Sequence, residues 1–215
     1  MDTIKLKKHL QIWKIAKINL KHNFIVHFII SVVIILLTPV LFGTSDLGTT
    51  ASAVPLEIFV SLIGIVLLTP VFQPEQNSEI EEVVTCKYVS SISVSIIRIV
   101  YSIVSLIVLI GLFAMFMRIC RCSIPLSLIF GSIATAMFLG AIGMLTASIS
   151  NNIAVSYMIP MVYYVMNFAG GSKLGNFYLF SMMRGEYHQK IWLFGASIII
   201  IAIAIITKRI IEKCR

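Results

Sequence analysis

The sequence predicts an all-α, polytopic membrane protein: six transmembrane helices preceded by an amphipathic helix at the bilayer surface. Three observations predict it. Of the 215 residues, 59% are hydrophobic and only 12% charged, and the mean hydropathy is +1.00, whereas a soluble domain carries about a quarter charged residues. Apolar runs that match the ~20 residues needed to cross a bilayer recur along the whole chain. Basic residues crowd the stretches outside those runs. So little charge leaves no polar shell to face water on every side, and lipid is the solvent that fits.

The elements follow in order. Residues 1–22 place Leu6, Leu10 and Trp13, followed by Ala16 and Leu20, at spacings of three and four, while Lys7, Lys14 and Lys21 mark another face. That pattern suits a helix lying in the headgroup layer with its indole at the interface, in contact with membrane lipid. Spans are expected at 24–42, 55–72, 91–117, 126–149, 153–169 and 191–207. Between the first two, Gly43–Val54 reads as a small polar loop. The fourth span carries Gly131, Thr135, Gly143 and Ala147 on one stripe and Ser132, Ala136, Gly140 and Ser148 on the next. Small residues let helix backbones approach closely, so this span belongs inside the bundle. The sixth is nearly uniform in Ile, Ala and Phe and is expected to face lipid.

Charge sets the expected orientation. With the N-terminus inside, twelve of the 17 bases fall on the inner side: Lys5, Lys7, Lys8, Lys14, Lys17, Lys21, Lys87, Arg98, Lys208, Arg209, Lys213 and Arg215. Arg118, Arg121, Lys173, Arg184 and Lys190 fall outside. The positive-inside bias then places both termini in the cytoplasm, which an even number of spans requires. This end-loading of charge reads as contact with anionic lipid, and no aromatic-interleaved basic patch points to nucleic acid.

Few residues suggest chemistry. The chain has no G-x-x-x-x-G-K-[ST], so it lacks the loop with which such ATPases hold nucleotide. His9, His22, His27 and His188 are scattered, and Cys120 and Cys122 have no His, Asp or Glu beside them. Ordinary free thiols are therefore expected, with neither a metal site nor a cofactor. Glu57, next to Pro55, reads as an interfacial helix cap in one view and as part of a transport site in the other, since acids near a span face a cavity or a partner.

The most polar internal stretch is residues 73–90, with Glu75, Glu79, Glu81, Glu82, Lys87 and Tyr88. Ser78 followed by acids makes a plausible helix start, because carboxylates favour the positive end of the helix dipole. An acidic helix in a cytoplasmic loop is either a solvated linker or a docking element for a soluble partner. The stretch resembles the first cytoplasmic loop of ABC-2 type permeases, the membrane subunits of ABC exporters, in which E-x-x-x-G-T-x-E-x-L/V-x-x-x-P/Y-V-S precedes the third span. Glu75, Glu79, Glu81–Glu82, Val84 and Tyr88-Val89-Ser90 answer to it; Glu79-Ile80 stand where the family has Gly-Thr. The basic leader, the six spans and an apolar segment at Phe177–Met183 ahead of the last span agree with the family's layout, in which that segment often dips back into the membrane.

The resemblance implies a mechanism. An ABC ATPase subunit would bind the acidic loop, with Glu75, Glu79, Glu81, Glu82, Lys87 and Tyr88 at the coupling contact. A second permease subunit, identical or related, would pair with this one. A translocation path between the second and fifth spans would include Glu57, Phe59, Tyr163, Tyr164 and Asn167. Such a lining suits an amphipathic or hydrophobic cargo, an antimicrobial peptide or lantibiotic among them, and ATP hydrolysis would lie on the separate subunit. Two alternatives stand beside it. A CAAX-type intramembrane protease would start from Glu81-Glu82, but Cys86 stands where its Arg is needed and the later spans hold no histidine. A non-catalytic membrane immunity or scaffold protein requires no motif.

Overall fold

A computed structural model describes residues 24–75 and 91–214. Among these, six helices are long and apolar enough to cross a membrane. They are α1 (Ile25–Phe42), α2 (Thr49–Gln73), α3 (Ser91–Ile119), α4 (Leu126–Ser150), α5 (Ile153–Gly170) and α6 (His188–Cys214). No strand occurs among the described residues. The fold class is the one the hydropathy predicts: an all-α bundle of six membrane-length helices. The leader with Leu6, Leu10 and Trp13 lies outside the described residues, as do Glu79, Glu81, Glu82, Lys87 and Tyr88.

Three bounds depart from expectation by three residues or more. Helix α2 begins at Thr49, so Thr49–Val54, expected in the loop, is helical. The sequence hides this because Pro55 looks like a helix start, yet Pro sits within the helix here. Helix α6 starts at His188 and runs to Cys214, beyond both ends of the expected 191–207. Lys190, assigned to an outer loop, therefore lies in the first turn of α6.

Helix α4 is the centre of the bundle and packs against α2, α3, α5 and α6. Its small residues explain why. Gly131, Ser132, Thr135, Ala136, Gly140, Gly143, Ala147 and Ser148 are all buried, as their two stripes predict. A Cβ at Gly140 would come within 2.5 Å of the Gly64 carbonyl oxygen, and one at Gly64 would overlap the Ala136 carbonyl. The backbones of α2 and α4 thus touch with nothing between them. By contrast α1 buries only Ser31 and Thr38 fully and leaves half of its residues exposed, and α6 keeps Ile198, Ile199, Ile203 and Ile206 exposed. In lipid such apolar faces are already solvated. On α1, Ser31 and Thr38 donate to the carbonyls of His27 and Ile34, each at 2.8 Å, so neither hydroxyl is left unpaired in a hydrocarbon setting.

The turns sort to two ends. At one, the Asp46 amide donates to Cys120 O (3.2 Å) and the Ser123 amide to Leu47 O (2.9 Å), which zips the α1–α2 turn to the α3–α4 turn. Cys120 and Cys122 are both free there, as expected. At the other, Asn151 takes a left-handed conformation and the Asn152 side chain caps α5 by accepting from the Ala154 amide at 2.9 Å. These are called the Gly43 end and the Asn151 end below.

Helix α2 is not uniform. It is α-helical over Thr49–Ile58, tightens to a 3-10 turn at Val60–Leu62, resumes as α over Ile63–Leu68 and tightens again over Thr69–Glu75. Ser61 contributes to the first change by donating its hydroxyl to the Glu57 carbonyl at 2.5 Å, a bond that bends helices. Mid-helix 3-10 turns mark strain or a hinge.

The α2–α4 contact makes a direct prediction. Gly64→Ala should lose about 1–3 kcal/mol, as overpacking does, whereas Gly111→Ala, where an added methyl meets open space, should be neutral or slightly stabilising. Thermal unfolding of the two purified variants in one detergent distinguishes them; equal effects would mean that α2 and α4 are not in backbone contact.

Candidate functional site

The most polar point inside the bundle lies toward its Gly43 end. It is built by the 3-10 turn in α2. In a regular helix the Leu62 amide would bond to Ile58 O; here it donates to Phe59 O (3.2 Å), which frees the Ile58 carbonyl. The Tyr164 hydroxyl from α5 donates to that carbonyl at 2.5 Å. Immediately before Ile58 on α2, Glu57 is completely buried.

Glu57 is ion-paired to Lys190 of α6, with Nζ 2.6 Å from Oε1. The remaining bonds come from residues 171–187, which connect α5 to α6 and are called the strap here. Strap residues 178–182 are buried. The Met182 amide donates to Glu57 Oε1 at 3.0 Å and the Met183 amide to Oε2 at 3.1 Å. Lys190 Nζ also donates to Thr135 Oγ1 of α4 at 2.8 Å and to the Leu179 carbonyl of the strap. An ammonium has three donors, and all three are used. Burying two charges costs several kcal/mol per ion unless every lone pair and proton is matched. Here the matching groups come from α2, α4, α6 and the strap at once.

Further contacts seat the strap. Asn167 of α5 is fully buried; its Oδ1 accepts from the Leu179 amide at 2.9 Å, and its Nδ2 donates to Tyr163 O at 3.0 Å. The Tyr163 hydroxyl donates to Phe177 O at 2.8 Å. Phe180 meets Tyr164 edge-on at 5.4 Å and lies 4.4 Å from the Phe168 ring. Arg184 stands 5.0 Å over the Tyr178 ring.

Of the five residues expected along a path, Glu57, Tyr164 and Asn167 converge here, each facing inward. Tyr163 is half-buried at the edge of the same cluster. Phe59 points away, toward Phe42 of α1 at 6.1 Å. Glu57 does not cap α2, since it lies eight residues past Thr49 and its carboxylate bonds to the strap. Sequence reasoning missed Lys190 and Thr135. A signal existed: an acid within a span needs a basic partner, and Lys190 is the base heading the last span on the same side as Glu57. Of the coupling residues, only Glu75 lies among the described residues, two positions past the end of α2 in the 3-10 stretch Thr69–Glu75.

A smaller polar spot lies toward the Asn151 end. Arg98 of α3 is buried and donates to Val71 O at 3.2 Å, and the His27 and Gln73 side chains are hydrogen-bonded. Phe24, His27, Pro70, Arg98 and Tyr101 border a cavity of about 10 Å³, room for one water. Among the described residues no group of His, Cys, Asp and Glu could hold a metal.

The ion pair can be weighed by substitution. Glu57→Gln or Lys190→Met alone should each cost about 3–5 kcal/mol by leaving a buried charge or a mismatched partner, and the double Glu57→Gln/Lys190→Met distinctly less than their sum. A double-mutant cycle on thermal unfolding measures this. Additive losses would show that the two side chains do not act as a pair.

Comparison with protein-family models, with curated proteins and with solved structures finds no match to this chain.

Proposed function

We propose that this chain is the permease subunit of an ATP-driven ABC exporter, placed in the cell membrane with both termini in the cytoplasm. It pairs with a second permease subunit and takes its energy from a separate ATPase docked on residues 73–90. One observation carries the reading: the strap ahead of the last helix folds back among the helices and is bonded to α2 through Glu57. A returning segment at this place in the chain is what the resemblance to ABC-2 type permeases implies.

The arrangement suits such a machine mechanically. Helix α2 runs from the strap at one end of the bundle to the start of the acidic loop at the other, so one element joins the proposed docking loop to the proposed outer face. Its two 3-10 turns are places where winding can change without breaking the helix. A push on the loop is thus felt at Glu57. Tyr164, Phe168, Phe180 and the half-buried Tyr163 supply an aromatic setting for an amphipathic or hydrophobic cargo.

Two measurements test the reading. Glu81→Lys/Glu82→Lys should leave insertion intact but weaken ATPase co-purification and lower export, because reversed charges meet the cleft that binds the loop. If the unmodified protein, isolated gently from its native membrane, brings down no ATPase, the exporter reading fails. Orientation is tested with single cysteines: Ser45→Cys should react with an impermeant thiol reagent added to intact cells, whereas Ser78→Cys and Asn151→Cys should not. Outside labelling of Ser78→Cys overturns the topology.

A further inference from the structure

The strap is fastened unlike the rest of the bundle. The α2–α4 contact is apolar and close-packed, as at Gly64 and Gly140. The strap is gripped by charge, and through its backbone: the Met182 and Met183 amides on Glu57, the Leu179 carbonyl on Lys190. A permanent plug needs no such grip, since replacing a buried ion pair by apolar side chains is often neutral or stabilising. A polar grip can instead be exchanged for water. When the strap lifts and water follows, the amides, the carboxylate and the ammonium all keep partners.

Two further features fit a segment that leaves its seat. Ser181, in the middle of the buried run, has no exposed surface, and its hydroxyl has no hydrogen-bond partner among the described residues. Seating the strap costs that bond, and water would restore it. The strap is also bracketed by glycines at positive φ: Gly171 (51°) and Gly175 (56°) before the buried run, Gly185 (78°) after it. Glycine crosses between left- and right-handed backbone with little penalty, which other residues cannot do. Added methyls at Gly175 and Gly185 would meet nothing within 4 Å, so backbone conformation, not space, asks for glycine there.

We infer that the strap over residues 176–184 is a releasable plug, hinged at Gly175 and Gly185, whose catch is the Glu57–Lys190 pair. Helix α2 works the catch: unwinding or turning it at Val60–Leu62 moves Glu57 and withdraws the carboxylate from the Met182 and Met183 amides. Phe180 then leaves Tyr164 and Phe168, and an opening forms between α2, α5 and α6. What passes through it depends on the exporter reading; the existence of the catch does not.

Hydrogen–deuterium exchange of the full chain in lipid nanodiscs tests this without an ATPase, so its failure is distinguishable from failure to find that partner. In the unmodified protein the amides of Leu179, Met182 and Met183 should exchange through local opening about a hundredfold faster than those of Ala136–Gly143 in α4. Lys190→Met should speed the strap amides about a hundredfold more, a larger factor than for the α4 amides, whose local openings do not break the pair. Strap amides as slow as those of α4 in the unmodified chain would make the strap a fixed part of the core and overturn the inference, even if Lys190→Met does not fold. Fast strap exchange that Lys190→Met leaves unchanged would overturn the role of the pair as the catch.

Discussion

The structure depends most on the need to satisfy two opposite charges where no water reaches them. Glu57 and Lys190 lie on helices far apart in the chain, and each carries a charge too costly to bury alone. Their 2.6 Å contact answers part of that cost. The remaining lone pairs and protons require Thr135 and three backbone groups of the strap. One electrostatic constraint therefore fixes where α2, α4 and α6 meet and how residues 171–187 return among them.

Helix α2 accommodates this by departing from regular winding. The 3-10 turn at Val60–Leu62 frees the Ile58 carbonyl for Tyr164, which brings α5 to the same cluster. Beyond the turn, Gly64 lets α2 lie against the α4 backbone. The helix thus has one end gripped by polar groups and a middle held by steric fit. A small rotation about the middle would be read as a change in bonding at Glu57. In the exporter reading this is how a motion begun at the acidic loop reaches the other face.

The exposed helices obey a different rule. Helices α1 and α6 show wide apolar faces, which in water would mark a docking surface but in lipid are simply solvated. Polar atoms, not apolar ones, are the exceptional residues of such a protein. Some return their bonds to nearby backbone, as Ser31 and Thr38 do, and others gather, as Glu57, Lys190, Thr135 and Asn167 do.

Composition and local pattern were enough to read the class of solvent, the number of spans and the central place of α4. Hydropathy and small-residue stripes are properties of local segments, and a bilayer imposes the same ~20-residue length on each. Glu57 stood out as an acid in an apolar run, whereas Tyr164 and Asn167 entered, with Phe59 and Tyr163, only through the path that the resemblance implies. That Glu57, Tyr164 and Asn167 gather around Lys190 and the strap emerges only from the packing of the helices. Lys190 read as a loop base because the first residues of α6, His188, Gln189 and Lys190, are all polar, and a charge at a helix end gives no local sign of whether it faces water or an acid 133 positions earlier. Thr135 read as one small residue among many. Pairing of this kind is long-range: its energy resides in the desolvated contact between elements, which no window of sequence contains.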